Sequence, residues 1–138
     1  MILEATTEEL DLAARTVWGE ARGEKAASAM HAVAWVIKNR VQNPRWWGGT
    51  VTEVCRKPYQ FSCWNDNDPN KAKCEAVDDK DVKFLNAHAA VCLSFNDSFS
   101  DPTNGADHYH TRGVQPAWSR FKEPVATIGN HLFYRLEI

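Results

Sequence analysis

The sequence predicts one α+β domain, mainly helical, with a small β-element near the C-terminus. Three observations lead there. Apolar residues recur at helical spacing in three long stretches of the first two-thirds of the chain. The composition then turns abruptly to "NDSFSDPTNGADHYHTRGVQPAW", which is mostly turns and short extended pieces. Finally, "VATIGNHLFYRLEI" has the β-branched and aromatic content of one or two strands. At 138 residues, without internal repeat or low-complexity linker, the chain suits a single domain over 1–138.

The elements follow in order. Thr6 with Glu9 three residues later is a capping box. Leu10, Ala13, Ala14, Val17, Trp18 and Ala21 then mark a helix from about Thr7 to Arg22, with Gly23 as its stop. A second helix, about Lys25 to Val41, carries Ala26, Ala29, Met30, Val33, Val36, Ile37 and Val41, and its alanines predict close packing on a neighbouring helix. Asn43–Pro44 ends it and "RWWGG" turns the chain. Thr50 or Thr52 caps a short helix before Cys55. "KPYQFSCWNDNDPNK" reads as loop. A third long helix, about Asp79 to Phe95, presents Val82, Leu85, Ala89 and Cys92 as its apolar stripe.

Bulk properties narrow the function. Apolar residues at 43% and charged residues at 25% are ordinary for a soluble domain. A net charge of −2 and a pI near 6.2 argue against nucleic-acid binding through phosphate contacts. Only Arg40, Arg45, Arg56 and Lys57 could make a local basic patch. Six tryptophans exceed what packing needs, and Trp46, Trp47, Trp64 and Trp118 sit in turn-like contexts where aromatic surface meets sugars or bases. "MILEATTEELDL" lacks the basic-then-apolar order of a signal peptide, and no apolar stretch nears the roughly 20 residues of a membrane span. The expectation is a monomer made in the cytoplasm, without cofactor or metal.

Cys55, Cys63, Cys74 and Cys92 form no CxxC pair, which argues against structural zinc. Cys92 falls in a helical apolar pattern and reads as a buried thiol. Cys63 and Cys74 flank a polar loop and could pair if the protein works outside the cytosol; sequence does not fix connectivity.

Several side chains could carry chemistry. Glu20 lies at the edge of the first helix's apolar face and in its last turn. Partial burial and the helix's negative end both raise a carboxyl pKa there, as a general acid requires. On spacing alone, a surface glutamate paired with Arg15, Arg22 or Lys25 is the better reading. Glu24 is either one turn further on or, if Gly23 ends the helix, a first-turn residue of the next. Gln60, Phe61, Ser62 and Trp64 put an amide, a hydroxyl and aromatic faces into five residues, suiting a sugar or peptide; Phe61 in the core with Gln60 on loop backbone explains them equally well. His108 and His110 alternate, so a strand would point both one way, and His131 could complete a metal site. No GxSxG elbow and no glycine-rich phosphate loop exist.

With these residues in hand, the chain resembles the cell-wall hydrolase family of the spore-cortex-lytic enzymes, the SleB and CwlJ type, which also occurs in bacteriophages. "LAARTVWGEARGE", "AVAWVIKNRV", "YQFSCW", "GADHYHTRGVQPAWS" and "IGNHLFYR" carry the likeness, in the family's order and across about residues 12 to 135. The resemblance implies a lysozyme-like fold and cleavage of peptidoglycan glycan strands between N-acetylmuramic acid and N-acetylglucosamine. It maps the catalytic acid onto Glu20, and so overrides the spacing-only reading. Gln60, Phe61, Ser62, Trp64, Tyr109, His110 and Trp118 would then line the sugar groove, with His131 a buried, satisfied histidine.

A muramidase needs a second carboxylate, for which Glu24 and Asp107 are the candidates; a lytic transglycosylase needs one acid. The chain leans mildly to the second. It departs from the spore enzymes in having no signal peptide, no separate peptidoglycan-binding domain and an unusual "WNDNDPNKAKCE" segment, which points to a stand-alone lysin released by a holin or borne on a virion. Two rivals stand beside this: a non-catalytic glycan-binding module, and a metal-dependent amidase or peptidase using His108, His110 and His131.

Overall fold

The structure, a computed structural model, describes residues 1–26 and 28–138. Helix α1 runs Thr7–Ala21 and starts on the expected capping box. Thr6 Oγ1 accepts from the Glu9 N–H at 3.1 Å, and Glu9 Oε1 accepts from the Thr6 N–H at 3.0 Å. Helix α2, Ala29–Gln42, begins later than the predicted Lys25. Lys25 and Ala26 form a bend, and Ala27 lies outside the described residues. A tertiary tether holds this segment: Glu24 Oε1 accepts from the Asn130 N–H at 2.8 Å, far along the chain.

The core is built around α2, which is buried continuously from Ala32 to Val41. Its alanines admit close neighbours, and three polar residues within that run tie down the turn-rich C-terminal third. Lys38 Nζ donates to the Ser94 carbonyl at 2.8 Å and pairs with Asp97. Asn39 donates to Asp101 and to the Ala106 carbonyl, and Arg40 Nε to the Asp107 carbonyl at 2.7 Å. These three side chains thus find acceptors for their buried donors, as burial of charged and amide groups demands.

Thr50 rather than Thr52 caps α3, Val51–Arg56. The stretch read as loop contains a 3₁₀ turn at Ser62–Trp64, and its last two residues begin helix α4, Asn70–Ala76. Helix α5, Val82–Phe95, is capped by Asp81 and packs on α1 and α2. Its predicted stripe is the wrong face. Val82, Leu85 and Ala89 are exposed and Cys92 is only half-buried, while Phe84, Ala87, Ala90, Val91 and Phe95 point inward. Two apolar stripes share this helix, and the phenylalanines at either end decide between them because they bury the most surface.

After α5 the chain forms a three-stranded antiparallel sheet in the order β1–β3–β2, with β1 at His108–Thr111, β2 at Ala126–Ile128 and β3 at His131–Tyr134. Tyr109 opposes Phe133 and His110 opposes Leu132. Opposed residues share a face, so Tyr109, Thr111, His131 and Phe133 lie on one side and His108, His110, Leu132 and Tyr134 on the other. Phe133 packs with Ala32 and Val36 of α2, which seats the first side against the helical core. Among the described residues no helix is long and apolar enough to cross a membrane.

Candidate active site

Glu20 sits in the last turn of α1, half-buried where α1, the 3₁₀ turn and β1 converge. Tyr109 O–H donates to its Oε1 at 2.6 Å. The Cys63 N–H and the Ser62 hydroxyl approach its Oε2 at 3.4 and 3.5 Å. Burial pushes the Glu20 pKa above the usual carboxyl range, and the bonds from Tyr109, Cys63 and Ser62 pull the other way without cancelling it. The Tyr109 phenol is raised well above its ordinary value by burial and by the Glu20 charge, so it stays a donor.

Neighbouring side chains hold this cradle in place. Trp64 Nε1 donates to Thr16 Oγ1 at 2.9 Å, fastening the 3₁₀ turn to α1 one helical turn before Glu20, and Arg56 covers the indole at 4.7 Å. Phe61 is buried in the core. Alternation in β1 aims Tyr109 at Glu20 and turns His108 and His110 away.

Beside the cradle lies a cavity of about 120 Å³ lined by Arg40, Tyr59, Gln60, Phe61, His108, Tyr109 and Trp118. Arg40 is its cationic floor, with Nη1 donating to Gln60 Oε1 at 3.3 Å. Burial lowers its pKa to about 10, which leaves it charged at neutral pH. Among the described residues no carboxylate pairs with it.

The profile of the family described as Cell Wall Hydrolase matches residues 23–134. The chain belongs to the cell wall hydrolase family. Glu20 stands just before the matched residues, but structural likeness extends past it. The catalytic domain of the Bacillus cereus SleB protein superposes with a TM-score of 0.76 at 26% identity, covering 94% of this chain and 91% of that one. The catalytic domain of the germination-specific lytic transglycosylase SleB from Bacillus anthracis gives 0.74 at 25% identity, covering 94% and 95%. No curated protein sequence matches.

In this cell wall hydrolase the predicted site residues divide. Gln60, Phe61, Ser62, Tyr109 and Trp118 gather around Glu20 and the adjoining cavity. Trp64 is committed to Thr16 and Arg56. His110 faces the other side of the sheet, bonded to the Thr111 carbonyl at 2.7 Å and to the Tyr134 hydroxyl at 2.9 Å. Trp47, expected at the surface, is fully buried, with its ring N–H on the Arg40 carbonyl. His131 is buried as expected but not satisfied, since its Nδ1 has no partner.

Neither candidate second acid enters the site. Glu24 reaches the β2–β3 turn at Asn130. Asp107 is fully buried and accepts from the backbone N–H groups of Leu136, Glu137 and Ile138 as well as from His108. Burial alone would raise its pKa, but these bonds overcome that and hold it at about 2. The three histidines of the metal reading do not converge, because His131 lies on the opposite face of the sheet from His108 and His110. Among the described residues, no group of three or more His, Cys, Asp or Glu is placed to hold a metal ion.

Sequence reasoning missed Arg40, Tyr59 and His108 as cavity residues and the Cys63 backbone as a donor. Arg40 left a trace, as a charge within the apolar-patterned second helix, next to Lys38 and Asn39.

Proposed function

We propose that the protein cleaves peptidoglycan glycan strands between N-acetylmuramic acid and N-acetylglucosamine by lytic transglycosylation, with Glu20 as the single acid–base residue. The observation that carries this is the Glu20 carboxyl, raised by burial and held by Tyr109, while both other candidate acids are bonded elsewhere. Likeness to a protein described as a lytic transglycosylase supports it.

Protonated Glu20 donates to the glycosidic oxygen as positive charge develops at the muramyl anomeric carbon. The departing proton leaves a carboxylate that the Tyr109 hydroxyl and the Cys63 N–H stabilise. That carboxylate then takes the proton of the muramyl 6-hydroxyl, whose oxygen closes on the anomeric carbon to give a 1,6-anhydro ring. Gln60, Ser62, Tyr59 and Trp118 offer amide, hydroxyl and ring faces to the flanking sugars. Such an enzyme acts on the wall, and as a lysin it would reach it by holin-dependent release or on a virion.

Clearing of purified cell walls by Glu20→Gln is the test. Loss of at least roughly 1,000-fold is expected; survival of activity removes Glu20 from the mechanism. Mass spectrometry of the released muropeptides identifies the acceptor. Anhydro-muramyl ends are expected, reducing muramyl ends would mean that water attacks, and new amino groups with intact glycan would mean an amidase or peptidase. Abolition by EDTA with recovery on adding Zn²⁺ would favour the histidine-based reading.

A further inference from the structure

Directly behind Glu20 two buried thiols meet. Cys63 belongs to the 3₁₀ turn and Cys74 to α4. Both pack against Gly19, where a Cβ would lie 2.5 Å from Cys74 Sγ and 3.0 Å from Cys63 Sγ, so the two sulfurs crowd one point. Their closeness, with Arg22 nearby, draws the Cys74 pKa below its ordinary value while Cys63 is pushed up. The other cysteines are differently placed. Cys55 is buried beside Thr16 and its thiol is pushed up to about 12, and Cys92 lies on α5 beside His88.

We propose that Cys63 and Cys74 form a disulfide when the chain folds in an oxidising compartment, and that this bond fixes the Cys63 N–H donor on Glu20. The Cys74 thiolate attacks a small-molecule disulfide such as oxidised glutathione, expelling one thiolate and leaving a mixed disulfide on Cys74. Cys63 then gives up its proton and attacks Cys74 Sγ, expelling the second thiolate. The two cysteines lose two electrons and two protons, and the oxidant gains both as two thiols. Because both sulfurs are buried in the folded protein, the exchange belongs to folding, before the segment between them has closed. The bond ties α4 and the 3₁₀ turn together over the back of the cradle.

That the bond bears on lysis rests on the function proposed above; the bond itself does not depend on the role of Glu20. The full chain is unfolded and refolded either with reduced and oxidised glutathione or with dithiothreitol. Refolding with glutathione is expected to consume two of the four thiols, lower the mass by the two hydrogens lost, and give a single linked peptide pair containing Cys63 and Cys74. It should also raise Tm by roughly 10 °C over the dithiothreitol sample, as a short closed loop predicts. The Cys63→Ala/Cys74→Ala variant should show no redox-dependent Tm, and Cys55→Ala/Cys92→Ala should keep it. Four free thiols after glutathione refolding, or a bond to Cys55 or Cys92, overturns the proposal. Glu20→Gln separates the two readings: it should form the same bond and lyse nothing. Full lysis by that variant with the bond present sinks only the acid, whereas lysis by wild type with four free thiols sinks only the cross-link.

Discussion

Tyr109 donates its hydroxyl to Glu20 at 2.6 Å across 89 positions of sequence. This bond lowers the Glu20 pKa, against the burial that raises it. Tyr109→Phe therefore raises that pKa further. An acid must be protonated to act, so the high-pH limb of the rate profile should move upward in pH. The maximal rate should meanwhile fall roughly 10- to 100-fold, because a charge-assisted bond to the conjugate base is lost. The kcat–pH profile on solubilised glycan checks both effects; a limb that stays in place or moves down would remove Tyr109 from the control of Glu20.

A raised carboxyl pKa also has a thermodynamic sign. The unfolded chain ionises Glu20 at its ordinary value, whereas the folded chain resists ionisation. The stability this group permits is therefore complete below the ordinary pKa and is lost as pH rises through the raised one. Glu20→Gln removes that loss. Its Tm should exceed wild type at neutral pH, and the gap should close on acidification towards pH 4. Scanning calorimetry at three pH values decides it; a variant less stable at neutral pH would contradict the burial argument.

These two residues show how far the sequence could be read. Spacing alone favours a surface glutamate at position 20 and only the family block singles it out; in the fold Glu20 is half-buried and bonded by Tyr109 rather than paired with Arg15, Arg22 or Lys25. Alternation in "HYH" correctly put His108 and His110 on one side of a strand, but gave no means of telling which side meets the helices. The strand register answers that: Phe133, opposite Tyr109, packs on α2 and carries Tyr109 inward. The helix α5 error has the same character, since two apolar stripes satisfied the period and only packing against α1 and α2 selected one. Arg40 and the Cys63 N–H escaped because their roles come from contacts across the fold, which no local pattern records.

Asp107 offers a test of stability apart from catalysis. Its carboxylate is the shared acceptor for three backbone N–H groups of the C-terminal tail. With a folded pKa of about 2 against an ordinary 3.8, its contribution is present above the ordinary value and lost as pH falls through the folded one. That contribution is about 2 kcal/mol. Asp107→Asn should lose about that much or more at pH 7 and should flatten the acid side of the stability curve below pH 4. Denaturant unfolding at pH 7 and pH 3 measures both; equal losses at the two pH values would show that charge is not what anchors the tail.

Gly19 precedes Glu20, the proposed acid, in α1, and helical propensity alone would favour alanine there by about 1 kcal/mol. Packing reverses this. The added Cβ would lie 2.5 Å from Cys74 Sγ and 2.8 Å from Cys63 Cβ, so the sulfur pair or the 3₁₀ turn must move. Gly19→Ala should therefore lower Tm by several degrees, on an overpacking cost of about 1–3 kcal/mol. It should also slow lysis, since moving Cys63 moves the N–H on Glu20. The cost should shrink when Cys74→Ala removes the nearer atom and should not vanish, because the Cys63 Cβ remains. A double-mutant cycle on Tm under reducing conditions isolates the coupling. An equal cost of Gly19→Ala in both backgrounds would mean that Gly19 is required for something other than the approach of the two cysteines.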